Sequence, residues 1–396
     1  MNEPEPRGLA GVRAWLHERG VDDAEIDAAV ASGQLHVLVA DRMVLPEEPC
    51  YTSAEVADLT GLPEEQVRRL WRALGFPDVA PGEEAFTERD VAALTSVHGL
   101  IYLGLSDGDQ MVQQTRVLGS SMARITAAQV DASPVMRGNA SSLDLAELYV
   151  LAADAIVPDM ARLLEYAWRR HMQAAMRRAA LQRQAQPQGG DDRGTVPLMA
   201  IGFADLVGFT SLSQQLSGGA LADVVSRFEE LAYDTVVRMG GRIVKMIGDE
   251  VMFAVSSVDD AAEVALALSN AYADDDVLSD VRVGLAYGPV LQRDGDCYGP
   301  TVNLASRIVN IAAPGSVVVG EDVHEPLRDD PRFVWKPLRA RYLKDIGRVP
   351  LYVLFRPGDP RMQQPDRTKR RWLLREAMRD QVERAHALGR DILSPE

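Results

Sequence analysis

At 396 residues the chain is too long for one ordinary core, and a hydrophobic content of 46% is enough to fill more than one. A formal net charge of -16 repels nucleic acid and anionic membrane in bulk, although a local basic groove could still bind phosphate. Cys50 and Cys297, the only two cysteines, are far apart and lack metal-ligand spacing; they fit a reducing cytoplasm rather than a disulfide framework or a zinc site, and neither an export signal nor an uncharged run near the ~20 residues of a membrane span is present.

Residues 1–157 read as a mainly helical domain. Within them 51–94 gives a short helix, a Gly-Leu-Pro turn and a second helix with Val67, Leu70, Trp71 and Leu74 at i, i+3, i+4, i+7. This grammar resembles the first part of the MerR-type winged-helix regulators, in which the second helix would offer Arg68, Arg69 and Arg72 to DNA. The stretch nevertheless holds nine acidic against four basic residues, and Glu64 and Glu65 sit at the helix start where a phosphate would approach. A structural or regulatory use of the motif is therefore expected, not DNA binding.

The spacing predicts a connecting helix over 158–184, with Pro158 at its first turn and Met160, Leu163, Leu164 and Ala167 on one stripe. It reads either as a packing helix or as a lever between domains. The polar, Gly- and Pro-containing stretch 184–197 marks the domain boundary, so that 158–197 forms the connection.

Past the boundary strands and helices alternate. Strand 198–206 is followed by a helix near 217–238, a hairpin in 240–255, a helix near 259–272, strand 281–288, a helix near 301–312 and the strands SVVVG and LYVLF. The order βαββαβ with additions predicts a ferredoxin-like α/β (α+β) domain over 198–356, preceded by the mainly α-helical N-terminal domain.

Three segments of this domain carry chemistry. Asp205 ends the first strand in FADLVGFTSLS, where a glycine and hydroxyls between strand end and helix start leave backbone N–H groups free for a triphosphate. The hairpin GGRIVKMIGDEVMFAV carries Lys245, Asp249 and Glu250 at its tip. Two carboxylates, Asp205 and Asp249, on neighbouring strands form a hard-oxygen site suited to Mg²⁺ or Mn²⁺, two ions per nucleotide site. In DGDCYGPTVNLASRIV, Asn303 and Arg307 are four apart and share a helix face, with Asp296 seven residues before the asparagine.

These motifs, in this order, resemble the catalytic domain of class III nucleotidyl cyclases over residues 198–356. The resemblance implies that Asp205 and Asp249 bind two metal ions with the backbone of Leu206 assisting, and that Thr210 lies near the triphosphate. It further implies that Lys245 and Asp296 read the base, Asn303 orients the ribose and Arg307 stabilises the transition state. A lysine donor and an aspartate acceptor match adenine's N1 and exocyclic amine, whereas guanine reverses both, so ATP is the expected substrate. The family builds its sites between two catalytic domains; all six positions occur in this chain, which implies a homodimer with two equivalent sites.

The N-terminal half resembles, more loosely, the regulatory domains of mycobacterial-type, pH-responsive cyclases. An inhibitory action on the catalytic dimer is expected, answering to a small effector or to protons. The histidines are His17, His36, His98, His171, His324 and His386; His171 stands beside Arg169 and Arg170, which would lower its pKa if close. Lys344 is a candidate phosphate contact, and the tail 357–396 reads as a charged helix packing through Trp372 and Leu373. Alternatives are a transcription regulator with a degenerate cyclase-like dimerisation domain, and a guanylyl or diguanylate cyclase.

Overall fold

The computed structural model describes residues 8–132, 140–185 and 196–363. The expected helical tail, with Trp372 and Leu373, and most of the expected boundary stretch lie outside the described residues. The chain divides into two compact units, 1–189 and 190–396.

The first unit contains α1 (Leu9–His17), α2 (Asp23–Ala31), α3 (Leu35–Val44), α4 (Ser53–Thr60), α5 (Glu64–Leu74), α6 (Glu88–Tyr102), α7 (Gly108–Ala132) and α8 (Ser142–Ala185). Two apolar clusters hold it. One joins Leu16, Ile26, Val39 and Ala146 across α1, α2, α3 and α8; the other gathers Val56, Val67, Leu70 and Phe86 around α4 and α5. Capping boxes at Thr52/Glu55 and Thr87/Asp90 start α4 and α6, and Gly61, in the left-handed region at φ 74°, ends α4 so that the chain can turn into α5. The helix-turn-helix grammar is thus present. Its arginines all hold carboxylates: Arg68 with Glu64 (2.9 Å), Arg69 with Asp109 (2.6 Å) and Arg72 with Glu65 (3.2 Å).

The connecting helix starts earlier than its proline suggests. α8 is 44 residues long and carries Pro158 in its interior. Its start is fixed by a reciprocal Ser141/Asp144 pair, with Asp144 accepting from the Ser141 backbone at 3.1 Å and the Ser141 hydroxyl accepting from the Asp144 backbone at 3.2 Å. Leu143, Tyr149, Val150 and Ala153 then pack against the first cluster, so tertiary contact carries the helix into the proline.

The second unit contains β1 (Leu198–Leu206), α9 (Phe209–Ser213), α10 (Gly218–Arg238), β2 (Arg242–Ile247), β3 (Glu250–Val255), α11 (Val258–Ala273), β4 (Val281–Pro289), β5 (Leu291–Arg293), β6 (Asp296–Tyr298), α12 (Pro300–Ile311), β7 (Val317–Gly320), α13 (Glu321–Leu327), β8 (Val334–Leu343) and β9 (Gly347–Phe355). Its main sheet runs β2-β3-β1-β4-β7-β9-β8, and β5-β6 form a separate hairpin. The first four strands in that order are the ferredoxin-like βαββαβ arrangement, antiparallel throughout. β7 adds to β4 in parallel, and β9 and β8 extend the far edge.

Strand alternation sends β1 residues to opposite faces. Ala200, Ala204 and Leu206 join the cluster built with α10 and α11, while Met199, Ile201 and Phe203 join the one built with α12. α12 sits close on β4 because Gly284 has no side chain; a Cβ there would lie 2.3 Å from the Val309 backbone nitrogen. Among the described residues no helix is long and apolar enough to cross a membrane.

Candidate active site

Alternation places Asp205 on the α12 side of the sheet, and the register sets Glu250 of β3 and Arg282 of β4 directly beside it. Arg282 donates to the Asp205 carboxylate. Asp249 occupies the two-residue turn between β2 and β3 after Gly248, whose φ of 65° is the glycine-first geometry of a tight hairpin. The Leu206 backbone N–H donates to the Asp249 carbonyl at 3.0 Å, so the end of β1 is tied to the hairpin tip.

This corner concentrates negative charge. Burial, and then the charge of Asp205, raises the Asp249 carboxyl above its ordinary range. Glu250 is pushed up to about 7, first by burial and then by Asp205 and Asp249. Oxygen donors from Asp205, Asp249 and the Leu206 carbonyl suit a hard divalent cation, which would offset the same charge. Among the described residues no group of three or more His, Cys, Asp or Glu side chains could hold a metal by themselves. Two carboxylates and a carbonyl therefore leave coordination positions for water and substrate.

Lys245 and Asp296 meet. Lys245 Nζ donates to Asp296 Oδ2 at 2.6 Å, and Asp296 Oδ1 accepts from the Cys297 backbone at 2.7 Å. Burial works against the Asp296 carboxylate, yet the hydrogen bond from Lys245 and that from the Cys297 backbone keep it below its ordinary range. A shift of register between Ile243 and Lys245 leaves Val244 unpaired and puts Lys245 opposite Met252, on the α12 side.

Asn303 and Arg307 are both exposed on α12. Asn303 borders an open cleft of about 800 Å³ that Tyr287, Thr301, Asp322 and Ile346 also line. Arg307 makes no ion pair among the described residues, with Asp205 or Asp249 or any other carboxylate. Thr210 is exposed in the short α9, and Leu206 is 1% exposed. Lys344 is exposed in the β8–β9 turn, at the opposite edge of the sheet from β2.

Sequence reasoning gave Glu250 no role and passed over Arg282. The signal for Arg282 was available: it is the only charge in the strand VRVGLAYG.

Comparison with known proteins follows the same division. The adenylate cyclase regulatory domain model matches residues 9–176, and the adenylate and guanylate cyclase catalytic domain model matches 194–355. An adenylate cyclase of Streptomyces coelicolor is 37% identical over 343 residues, covering 79% of this chain and 88% of that protein. A pH-sensitive adenylate cyclase of Mycobacterium tuberculosis is 31% identical over 350 residues, covering 85% of each. Among solved structures, the guanylate cyclase domain of RhGC from Catenaria anguillulae in complex with GTP matches at 21% identity with a TM-score of 0.38, covering 41% of this chain and 97% of that one.

Proposed function

We propose, for a chain that belongs to the adenylate and guanylate cyclase family and carries an adenylate cyclase regulatory domain ahead of its catalytic domain, that it closes ATP to 3′,5′-cyclic AMP at sites shared by two copies. The carrying observation is the 2.6 Å contact between Lys245 and Asp296. A cationic donor and an anionic acceptor held side by side offer adenine what its N1 and exocyclic amine require, and offer guanine the wrong polarity at both.

In the reaction the ribose 3′-oxygen bonds to the α-phosphorus as the bond to the β-phosphate bridging oxygen breaks. Pyrophosphate leaves and the hydroxyl proton is lost to solvent. Asp205, Asp249 and the Leu206 carbonyl would hold Mg²⁺ or Mn²⁺. Two such ions, when bound, would make the 3′-hydroxyl more acidic and offset charge on the leaving group. Arg307 contributes a planar fork of donors for the charge that builds on the α-phosphoryl oxygens. Asn303, one turn earlier on the same helix face, orients the ribose, and Thr210 and Lys344 are secondary candidates for triphosphate contacts.

Because the two aspartates come from one copy and Arg307 from the other, activity depends on how two catalytic domains face one another. Residues 1–184 then act as an inhibitor of that pair, with α8 changing the relative position of its two halves. The likeness to a relative named pH-sensitive favours protons as one input.

The test is cyclic nucleotide formation from ATP and from GTP with Mn²⁺, from pH 5 to 8. Full-length protein, its Asp249→Ala variant and a chain beginning at residue 193 would be compared. ATP-selective turnover that vanishes with Asp249→Ala supports the site; GTP turnover equal to that with ATP rejects the base readers. Equal activity with and without residues 1–192 at every pH rejects the inhibitory role.

A further inference from the structure

β5 and β6 are three residues each and stand apart from the main sheet. A two-stranded hairpin of that length has little stability of its own. Its turn is locally well defined, because Asp294 and Gly295 have consecutive positive φ values of 56° and 82°, the pattern of a tight two-residue hairpin loop. That fixes the shape of the hairpin but not where it lies against β2. Its placement decides where the Asp296 carboxylate sits.

Arg242, the first residue of β2, spans the gap. Its Nη1 donates to the Gly295 carbonyl at 3.1 Å, and its Nη2 donates to Cys297 Sγ at 3.5 Å. The two contacts fall on the residues immediately before and after Asp296. Lys245, three residues further along β2, is returned to the same face as Arg242 by the bulge at Val244. One strand therefore supplies both the partner of the reading carboxylate and the clamp on its flanks. When a base enters, Lys245 and Asp296 exchange their mutual bond for bonds to the base. Arg242 then keeps its hydrogen bonds from β2 to the hairpin, which is otherwise anchored by the buried Cys297, packed in one cluster with Val244, and by Gln292 bonded to Met199.

We propose that Arg242 is a positioning residue that sets nucleobase selectivity, holding Asp296 at the place where an adenine amino group is read. The proposal rests on the reading of Lys245 and Asp296 as base readers. Arg242 bonds to the residues flanking Asp296 and not to its carboxylate, so it acts through the hairpin. Its two contacts need a forked donor, which a lysine ammonium reproduces only in part.

The experiment measures kcat and KM with ATP and with GTP on the full-length enzyme, for wild type, Arg242→Ala, Arg242→Lys, Asp296→Ala and the Arg242→Ala/Asp296→Ala double variant. Thermal melting of each accompanies the kinetics. Arg242→Ala is expected to lower the ATP:GTP ratio of kcat/KM about tenfold, chiefly through KM for ATP, as for loss of a charged hydrogen bond. Arg242→Lys is expected to recover part of that loss. In the Asp296→Ala background the Arg242 substitution is expected to leave the ratio where it stands, the signature of one residue acting through another.

A ratio shifted by Asp296→Ala but not by Arg242→Ala overturns the role of Arg242 alone. Arg242→Ala lowering turnover of both nucleotides equally, or having its full effect on the ratio without Asp296, overturns it as well. A ratio indifferent to Asp296→Ala overturns the base-reading assignment and this proposal with it.

Discussion

Arg282 on β4 donates to the carboxylate of Asp205, its register neighbour on β1, so one strand holds a cation against an expected metal ligand on the next. Both side chains are largely withdrawn from solvent, at 28% and 17% exposure. Removing the guanidinium leaves Asp205 beside Asp249 and Glu250 with no compensating charge. Arg282→Ala is expected to destabilise the catalytic unit by about 2 kcal/mol in the presence of a chelator, below the range for fully buried pairs because this one is partly wet. A divalent cation at Asp205 would restore the balance. Melting with EDTA and with Mn²⁺ should therefore show a larger metal-induced rise in Tm for Arg282→Ala than for wild type. An equal rise would mean that Arg282 and the cation do not share that carboxylate.

Arg361, just past β9, ties the end of the catalytic unit to α11. It donates to Asp359 Oδ2 at 2.7 Å, Asn270 Oδ1 at 2.8 Å, the Gly315 carbonyl at 3.0 Å and Ser269 Oγ at 3.2 Å. Its hydrogen bond holds the Asp359 carboxyl below the usual range. A depressed folded-state pKa contributes stability that is present above the unfolded value of about 3.9 and lost as pH falls through the folded value. Arg361→Ala is expected to cost about 2 kcal/mol at pH 7 and less near pH 3, below the unfolded value, where the share that comes from the depressed Asp359 carboxyl is being lost. The bonds to Asn270, Ser269 and Gly315 keep the difference from vanishing. Urea unfolding of both proteins at the two pH values checks this; a difference unchanged by pH would assign the stabilisation to the neutral contacts.

Periodicity made most of the catalytic unit readable: the strand expected over 198–206 is β1, and the helix expected near 217–238 is α10. Where a second structural level intervenes, periodicity fails. Pro158 resembles a helix start because proline fits a first turn, yet contacts of Leu143, Tyr149 and Val150 extend α8 through it. Lys245 would fall on the wrong face by strict alternation, and only the bulge at Val244 returns it to the side of Asp205. The meeting of Lys245 with Asp296 spans 51 residues. No local pattern encodes it; motif resemblance paired the two residues as base readers, and the fold supplies the contact.

Arg307 offers a test of catalysis with little confounding from folding. It is exposed on α12 and makes no ion pair among the described residues. Arg307→Ala is therefore expected to leave the melting temperature within the scatter of surface substitutions while lowering kcat by about 10² to 10³, the effect of removing one preorganised charge donor. KM for ATP should change far less. A loss confined to KM would make Arg307 a ground-state binding residue.

The same exposure bears on which copy Arg307 serves. Within one chain it contacts neither Asp205 nor Asp249, as a residue completing a site on a second copy would not. Asp249→Ala and Arg307→Ala should each be inactive alone. In a mixed dimer, the intact Asp249 of the second variant faces the intact Arg307 of the first, and the other site carries both lesions. Random pairing makes half of all dimers mixed with one good site each, so an equal mixture, co-refolded or co-expressed, should recover about a quarter of wild-type turnover. Recovery that rises with total protein concentration would identify association as the step that builds the site. A mixture that stays inactive while forming mixed dimers would place both residues in a site made by a single chain.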